Sequence, residues 1–533
     1  MKKRYLFCLA GLLGGGLFFA QESHAQDAGH LSGDLMLNAN FFQRDTSIGA
    51  ANNQLYDNYL SGGEAWMGLR YTNYGFTGYL RLDVFNNSNL KNPTQAYSGF
   101  GIGAWSISKE FKGLTITGGY IYDQIGSGMI FRSYEDRGLL IDNALEGVRL
   151  EYKVGDHISL KGFTGQQKNM FDRYSPVIKG FNAEGDWQLS DNVHITPGLG
   201  TVNRTLDKAS MDNIISNVNA MPDDRKFIPK YNMYAFTAYN TLTAGNFTWY
   251  IEGAYKTKDQ IADYEGNLIF KPGNVVYSTL SYAQKGIAVT LTGKRTENFV
   301  MRTSPNQTQL DGVINWQPLV AQIRPQRLIA RYSPASQDLS EMSFNGTLML
   351  SPSDDYDFNL SYTHINTLED LKLYREIWGE ANIRSVDNTI IDLGIQVLQY
   401  NQAYYQFHPG YPMLKAVTPF AEVTYSFSPK KSLEIQAQYM DTKQDYGSWL
   451  YLGAEFDIAP KWAFAVSDMY NIKPANPAND DKHYYNVFVS YTKGAHRFSL
   501  AYVKQVDGIN CTGGVCRYEP AFSGLKLNIT SSF

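Results

Sequence analysis

From Leu31 to Phe41 the chain alternates by parity: Leu31, Gly33, Leu35, Leu37, Ala39 and Phe41 fall on one side, Ser32, Asp34, Met36, Asn38 and Asn40 on the other. One face is apolar and the other mostly polar, the period-two signature of a strand between two different surroundings. The pattern returns where Gly78, Leu80, Leu82 and Val84 oppose Thr77, Tyr79, Arg81 and Asp83, and again where Ile287, Val289 and Leu291 oppose Ala288, Thr290 and Thr292. It recurs at Val417 to Ser426 and at Leu525 to Thr530. One such segment would suit a soluble antiparallel sheet equally well. Many of them, each about ten residues long, match tilted strands that cross a bilayer.

The connections sharpen that reading. Very short ones, such as Asn73-Tyr74-Gly75, Gly155-Asp156, Ser428 to Lys431 and Lys493-Gly494-Ala495, alternate with long ones near 44–62, 123–143, 203–231, 297–340 and 367–387. Short turns on one rim and long loops on the other are the asymmetry of outer-membrane barrels. The expected fold is therefore all-β: a single transmembrane antiparallel β-barrel of about 22 strands, within a range of about 20 to 24. That count leaves Thr389 to Val397 without a crossing partner. Either it forms an extracellular hairpin with Gln402 to Gln406, or one more strand is hidden and the total is about 24.

Two features at the ends extend the picture. Met1-Lys2-Lys3-Arg4, the apolar stretch Tyr5 to Ala20 and the small-residue exit Ser23-His24-Ala25 have the order of a cleavable secretory leader, so 1–25 is assigned as signal peptide and 26–533 as one barrel domain. Cys8 lies inside the apolar part of that leader and would leave with it. At the other end Phe533 closes an alternating strand with Ile529, Leu527 and Leu525 on its face, the form of signal that the barrel-insertion machinery reads. Aromatic residues make up 14% of the chain, and those near strand ends, such as Trp249, Tyr250, Tyr485 and Tyr502, suit interfacial girdles.

The charge is −4, and about −6 once Lys2, Lys3, Arg4 and Glu22 leave with the leader, which argues against nucleic acid as a partner. Export brings the chain into an oxidising compartment, and Cys511-Thr512-Gly513-Gly514-Val515-Cys516 reads as a small loop closed by a disulfide. No metal set, phosphate-cradling loop or nucleophile elbow appears, so no cofactor and no enzymatic activity are expected. A barrel hydrolase would need His194, His364 or His496 beside a lumen carboxylate.

Tyr122 to Arg137, running on to Ile141-Asp142-Asn143, together with Ala465 to Asn471, His483 to Val487, Cys511 to Cys516 and Leu527 to Phe533, resembles a family of outer-membrane barrels from Bacteroidota. The resemblance covers most of the mature chain and implies an outer-membrane barrel of no assigned activity. Asp123 stands where that family usually shows Glu, and 388–415 departs from it most.

A barrel of this width would leak unless something filled it. The best candidate is 123–143: Gly126-Ser127-Gly128 permits a sharp re-entry, and Arg132, Glu135, Asp136, Arg137 and Asp142 supply charge of both signs. These could pair with the inner-wall charges Arg81, Asp83, Arg149 and Glu151. The same residues would equally suit a charged loop outside the cell. A second filling candidate is 297–340, with Trp316, Pro318 and Pro325. Two functional classes follow: a porin-like channel or transporter, or an accessory barrel that partners other envelope proteins. The outer-membrane lipid and the assembly machinery are the expected surroundings of either.

Overall fold

The computed structural model describes residues 29–533 apart from 94, 308, 309, 477–481, 513 and 514. The expected signal peptide, 1–25, lies outside the described residues. The wall is a closed antiparallel barrel of 24 strands, each hydrogen-bonded to the next in chain order. It starts with His30–Phe42, which pairs on one side with Ser61–Asn73 and on the other with the last strand, Phe522–Ser532. At the seam the Phe533 N–H donates to the Gly33 carbonyl at 3.0 Å and the Gly33 N–H donates to the Phe533 carbonyl at 2.7 Å. A Cβ on Gly33 would lie 2.5 Å from the Phe533 ring, so a side chain there would have to displace the ring.

Short turns join the strands at one rim. Tyr74-Gly75 and Lys112-Gly113 both take positive φ at each position, the two-residue geometry whose twist matches that of an antiparallel pair. Exposed aromatics mark this rim: Tyr74, Phe76, Phe111, Trp249, Phe427 and Trp462. Between the rims the exterior presents aliphatic side chains such as Ile107, Leu199, Leu291, Ile395, Leu452 and Val466. An apolar outer belt on a sheet with no free edge is the surface that hydrocarbon accepts, since every strand backbone is satisfied within the wall.

The expected count of about 22 is two short, and both missing strands lie together. Lys372–Ile383 is a wall strand, although 367–387 reads as a loop in the sequence. Tyr374, Glu376, Trp378 and Glu380 share its inner face, and Ile377 is the sole large apolar residue among Arg375, Ile377, Gly379 and Ala381 on the outer one, so the apolar stripe is too thin to see. Thr389–Asn401 then pairs with it and with Met413–Ser428, as a crossing strand and not as an outer hairpin. Gln402–Tyr405 is a helical turn. The loop at 203–231 carries a helix, Lys208–Asn219, capped by Asp207, whose carboxylate accepts from the Ala209 and Ser210 N–H groups.

In the last outer connection Gly508–Thr512 pairs with Val515–Glu519 and sets Cys511 directly opposite Cys516. The Cys511 side chain lies outside the described residues.

The lipid-facing assignment has a direct test. Leu291 lies midway along Ile287–Glu297, and Leu291→Arg should cost about 2–4 kcal/mol in urea titrations of vesicle-embedded protein. An unchanged midpoint would place Leu291 away from lipid.

Candidate functional site

After Ile121 the chain leaves the wall, and 122–144 folds against the inner faces of the strands that flank it. Two short ladders shape it: Asp123–Gln124 with Arg132–Ser133, and Glu135–Asp136 with Ile141–Asp142. Gly126 and Gly128, at φ 55° and 101°, turn the tip. A side chain at Gly126 would be strained by that φ and would also lie 2.7 Å from the Glu252 carboxylate. The Ser127 N–H donates to Glu252 at 2.9 Å, and the same carboxylate accepts the Thr237 hydroxyl at 2.8 Å and the Tyr250 hydroxyl at 2.5 Å. Glu252 is thus a buried acceptor filled by its neighbours, with the loop tip as one of them.

Apolar packing holds the same tip. Ile125, Met129, Ile130 and Phe131 are almost wholly buried, in one cluster with Phe163, Ile178 and Val202 of the wall. The Phe131 and Phe163 rings lie 4.4 Å apart. Each such side chain contributes about 1.5–3 kcal/mol on burial, so the tip is anchored chiefly by this cluster.

The second half of the loop is held by charge. Arg81, 1% exposed, meets Asp83 at 2.7 Å on its own strand and reaches Glu135 at 2.9 Å and Asp142 at 2.5 Å in the loop. Lys168 also contacts Asp142, and the Tyr122 hydroxyl donates to it at 2.8 Å. Burial alone would raise the Asp142 carboxyl, but Lys168 and Arg81 hold it below its ordinary range. Arg137 pairs with Glu135 at 2.6 Å and reaches Asp34 of the first strand at 3.4 Å. Asp123 is clamped between Lys161 at 2.6 Å and Arg149 at 3.2 Å, and Arg149 also meets Glu151 at 3.1 Å.

Two of the candidates take other partners. Arg132 meets no carboxylate among the described residues and stacks between the Tyr134 and Trp316 rings, 4.5 Å from each, so ring faces stand where a wall carboxylate was expected. Asp136 accepts from the Leu139 N–H at 3.0 Å and serves the loop's own turn.

Sequence alternation missed Lys168 for a specific reason. The ladder with Asp172–Gly185 shifts between Gln166 and Lys168, and this bulge brings Lys168 inward behind an inward Gln167. Glu252 was missed because one inward carboxylate among many carries no signal of its own. Lys161 was missed in the same way, and Asp123 stood out only as a departure from the resembled family.

The second long segment, 298–339, completes the filling. It is bonded to the first: Arg132 N–H to the Ile314 carbonyl at 3.0 Å, Trp316 N–H to Gly128 at 3.0 Å, and the Asn315 amide to Met129 at 2.9 Å. Its Phe299, Met301 and Ile314 join the cluster around the 122–144 tip, while Ala321, Leu328 and Tyr332 join a second cluster with Leu398, Met440 and Trp449 on the opposite wall. Along 322–328 alternate residues grip strands progressively further round the wall. Gln322 bonds Thr347 at 2.8 Å, Arg324 meets Glu376 at 3.3 Å and stacks 4.0 Å from the Trp378 ring, and Leu328 N–H donates to Gln438 at 2.9 Å. Ile323, Pro325 and Arg327 between them remain exposed.

His194, a conceivable catalytic residue, pairs with Asp186 at 2.6 Å near the short-turn rim, where both are solvent-accessible.

A closed sheet with an apolar exterior, short turns on one rim and long loops folded inside defines a transmembrane β-barrel of the outer-membrane type. The chain belongs to the family of unknown function DUF6029, whose model matches residues 1–533. No curated protein matches it. Among solved structures it is similar to the translocation pore of the P pilus usher PapC, with 10% identity, TM-score 0.45, and 94% of this chain and 99% of that one covered. It is also similar to the siderophore receptor PirA of Pseudomonas aeruginosa, with 9% identity, TM-score 0.42 and coverages of 96% and 81%. A third is OccK1 of Pseudomonas aeruginosa, with 10% identity, TM-score 0.35 and coverages of 94% and 98%. These likenesses concern barrel shape alone.

Asp142→Asn should loosen the docked loop by about 3–5 kcal/mol, because it leaves Arg81 and Lys168 buried with less compensation. Trypsin should then cut at Arg132 or Arg137 in folded protein that is resistant as wild type. Because the docked Asp142 carboxyl titrates below its free value, its contribution is complete above the free value, near pH 4, and is lost only as pH falls through the lowered one. Pepsin should therefore spare the wild-type loop at pH 4; cleavage there matching that of Asp142→Asn would contradict the pairing.

Proposed function

We propose that this protein is an outer-membrane channel or transporter whose lumen is closed in the present state by 122–144 and 298–339. The observation that carries this reading is the pairing of loop charge with wall charge around Arg81, Asp142 and Lys168. A loop that rested outside the cell would keep its charges hydrated, whereas these have given up water for ionic partners that can be exchanged. The apolar tip anchors the loop to the wall, while its second half, held by ion pairs, can part from the wall without exposing hydrophobic surface.

In this reading the chain is exported by residues 1–25, Phe533 is read by the assembly machinery during insertion, and Cys511 and Cys516 form a disulfide in the last outer loop. The Bacteroidota origin implied by the sequence resemblance belongs to the same proposal.

Deleting 129–140 removes the Met129–Phe131 anchors and Glu135 while sparing every wall strand and Phe533. Planar bilayers should then show a larger conductance than the intact barrel, and cells should become more sensitive to large antibiotics. Unchanged permeability, with heat-modifiable mobility showing normal insertion, would overturn the channel reading. The second reading is an accessory barrel. Its support is that 298–339 binds both halves of the wall, which also suits a permanently filled scaffold; silent bilayers together with a stoichiometric envelope partner would favour it.

Peptide mapping without reductant should find Cys511 joined to Cys516. Free thiols on the exported protein would remove the disulfide from the proposal.

A further inference from the structure

The inner-wall charges Arg81, Lys168, Arg149 and Lys161 are matched by carboxylates of 122–144, but another part of the inner wall is not. Glu380, Asp392, Glu422, Glu434 and Glu455 lie on five consecutive strands, from Lys372–Ile383 to Gly447–Ile458. They lie on the same faces as Glu376, Gln396, Thr418, Gln438 and Trp449, which pack against the inward loops. Two pairs stand directly opposite in register, Asp392 with Glu422 and Glu434 with Glu455. Like charges so placed destabilise a sheet. Among the described residues none of the five has an ion-pair partner. Arg384, which bonds Asn382 beside Asp392, is taken by Asp357, and Arg497 reaches Glu455 only through its field.

A second, independent observation lies just above them, where 322–328 crosses the wall. Three buried oxygens there have no hydrogen-bond partner: Gln326 Oε1, Gln396 Oε1 and Thr418 Oγ1. Their residues are 5%, 1% and 0% exposed. Gln396 and Thr418 are direct cross-strand partners on the face of the Asp392 and Glu422 pair, four residues further along the strands with Gly394 and Phe420 between, and Gln326 lies against Glu422 itself. The Gln396 amide nitrogen is spent on Glu376 at 2.6 Å, which leaves its oxygen as acceptor only. An orphaned buried acceptor costs about 1–3 kcal/mol. The same crossing leaves the Arg324 Nε and Gln438 Nε2 donors unpartnered, and Glu380, Asp392 and Glu434 each accept one neighbouring N–H, from Trp378, Asn382 and Gln436. What the five carboxylates lack is a cation, and one that carries N–H bonds would also serve the oxygens.

We propose that this stretch of inner wall is a binding vestibule for organic cations bearing ammonium or guanidinium groups. The carboxylates supply the charge, and the orphaned oxygens supply hydrogen-bond acceptors that a bare ion would use less well. The inference deepens the channel reading by naming the class of solute, and its binding step can be measured without any passage.

The test is equilibrium dialysis of radiolabelled spermidine against the full-length protein in detergent. Wild type should bind saturably, and Glu422→Gln with Glu434→Gln should weaken binding about tenfold or more. That double variant relieves both like-charge pairs, so its urea midpoint should hold or rise, which separates lost binding from lost structure. Gln326→Met, which keeps volume and wall charge but removes one orphaned oxygen, should weaken binding as well. Undiminished binding by the double variant overturns the proposal, and so does displacement of spermidine by magnesium as effective as by arginine amide at equal ionic strength. If spermidine fails to bind while the 129–140 deletion still raises conductance, the vestibule falls and the channel stands; the reverse result removes the channel alone.

Discussion

Every backbone N–H and C=O in the wall must find a partner inside the sheet, because hydrocarbon offers none. That requirement closes the barrel, and with 24 strands it also fixes a wide interior. The width sets the next problem, since an interior too broad for wall side chains to meet must be filled by chain that is not part of the wall. Two long connections, 122–144 and 298–339, do this. Each brings apolar anchors where it touches apolar wall, and charge where it touches charge.

The filling is uneven in kind. Around 122–144 cations and carboxylates match, from Arg81 through Lys168 to Arg149. Along 322–328 the fit depends on side chains that alternate between wall and lumen, as a strand's do. The same alternation that made the wall legible therefore operates inside it, on a segment with too few apolar residues to be read as a strand.

What the sequence disclosed follows the strength of the local pattern. The barrel and its turn asymmetry were legible because Leu35, Leu37, Leu80, Leu82, Leu291 and their equivalents repeat at a fixed period. Lys372–Ile383 was not, because its inner face is large and aromatic while its outer face is thinly apolar, which inverts the usual contrast. Arg81, Asp142 and Arg149 could be named as charges in need of partners, but which carboxylate each would meet depends on how far the loop reaches in. The bulge before Lys168 is a backbone event with no residue signature, and it moved a cation to a face that alternation denied it.

The seam between Gly33 and Phe533 carries a consequence for the order of events. It joins the first wall strand to the last, so it closes the longest loop of the sheet and meets the largest entropic cost of any strand pair. The neighbouring hairpins can form locally and early, whereas this ladder has to wait for them. Gly33 therefore has a kinetic part as well as a steric one. A side chain there would displace the Phe533 ring at the step where a nearly complete sheet still presents two open edges, and an open edge is where one chain pairs with another.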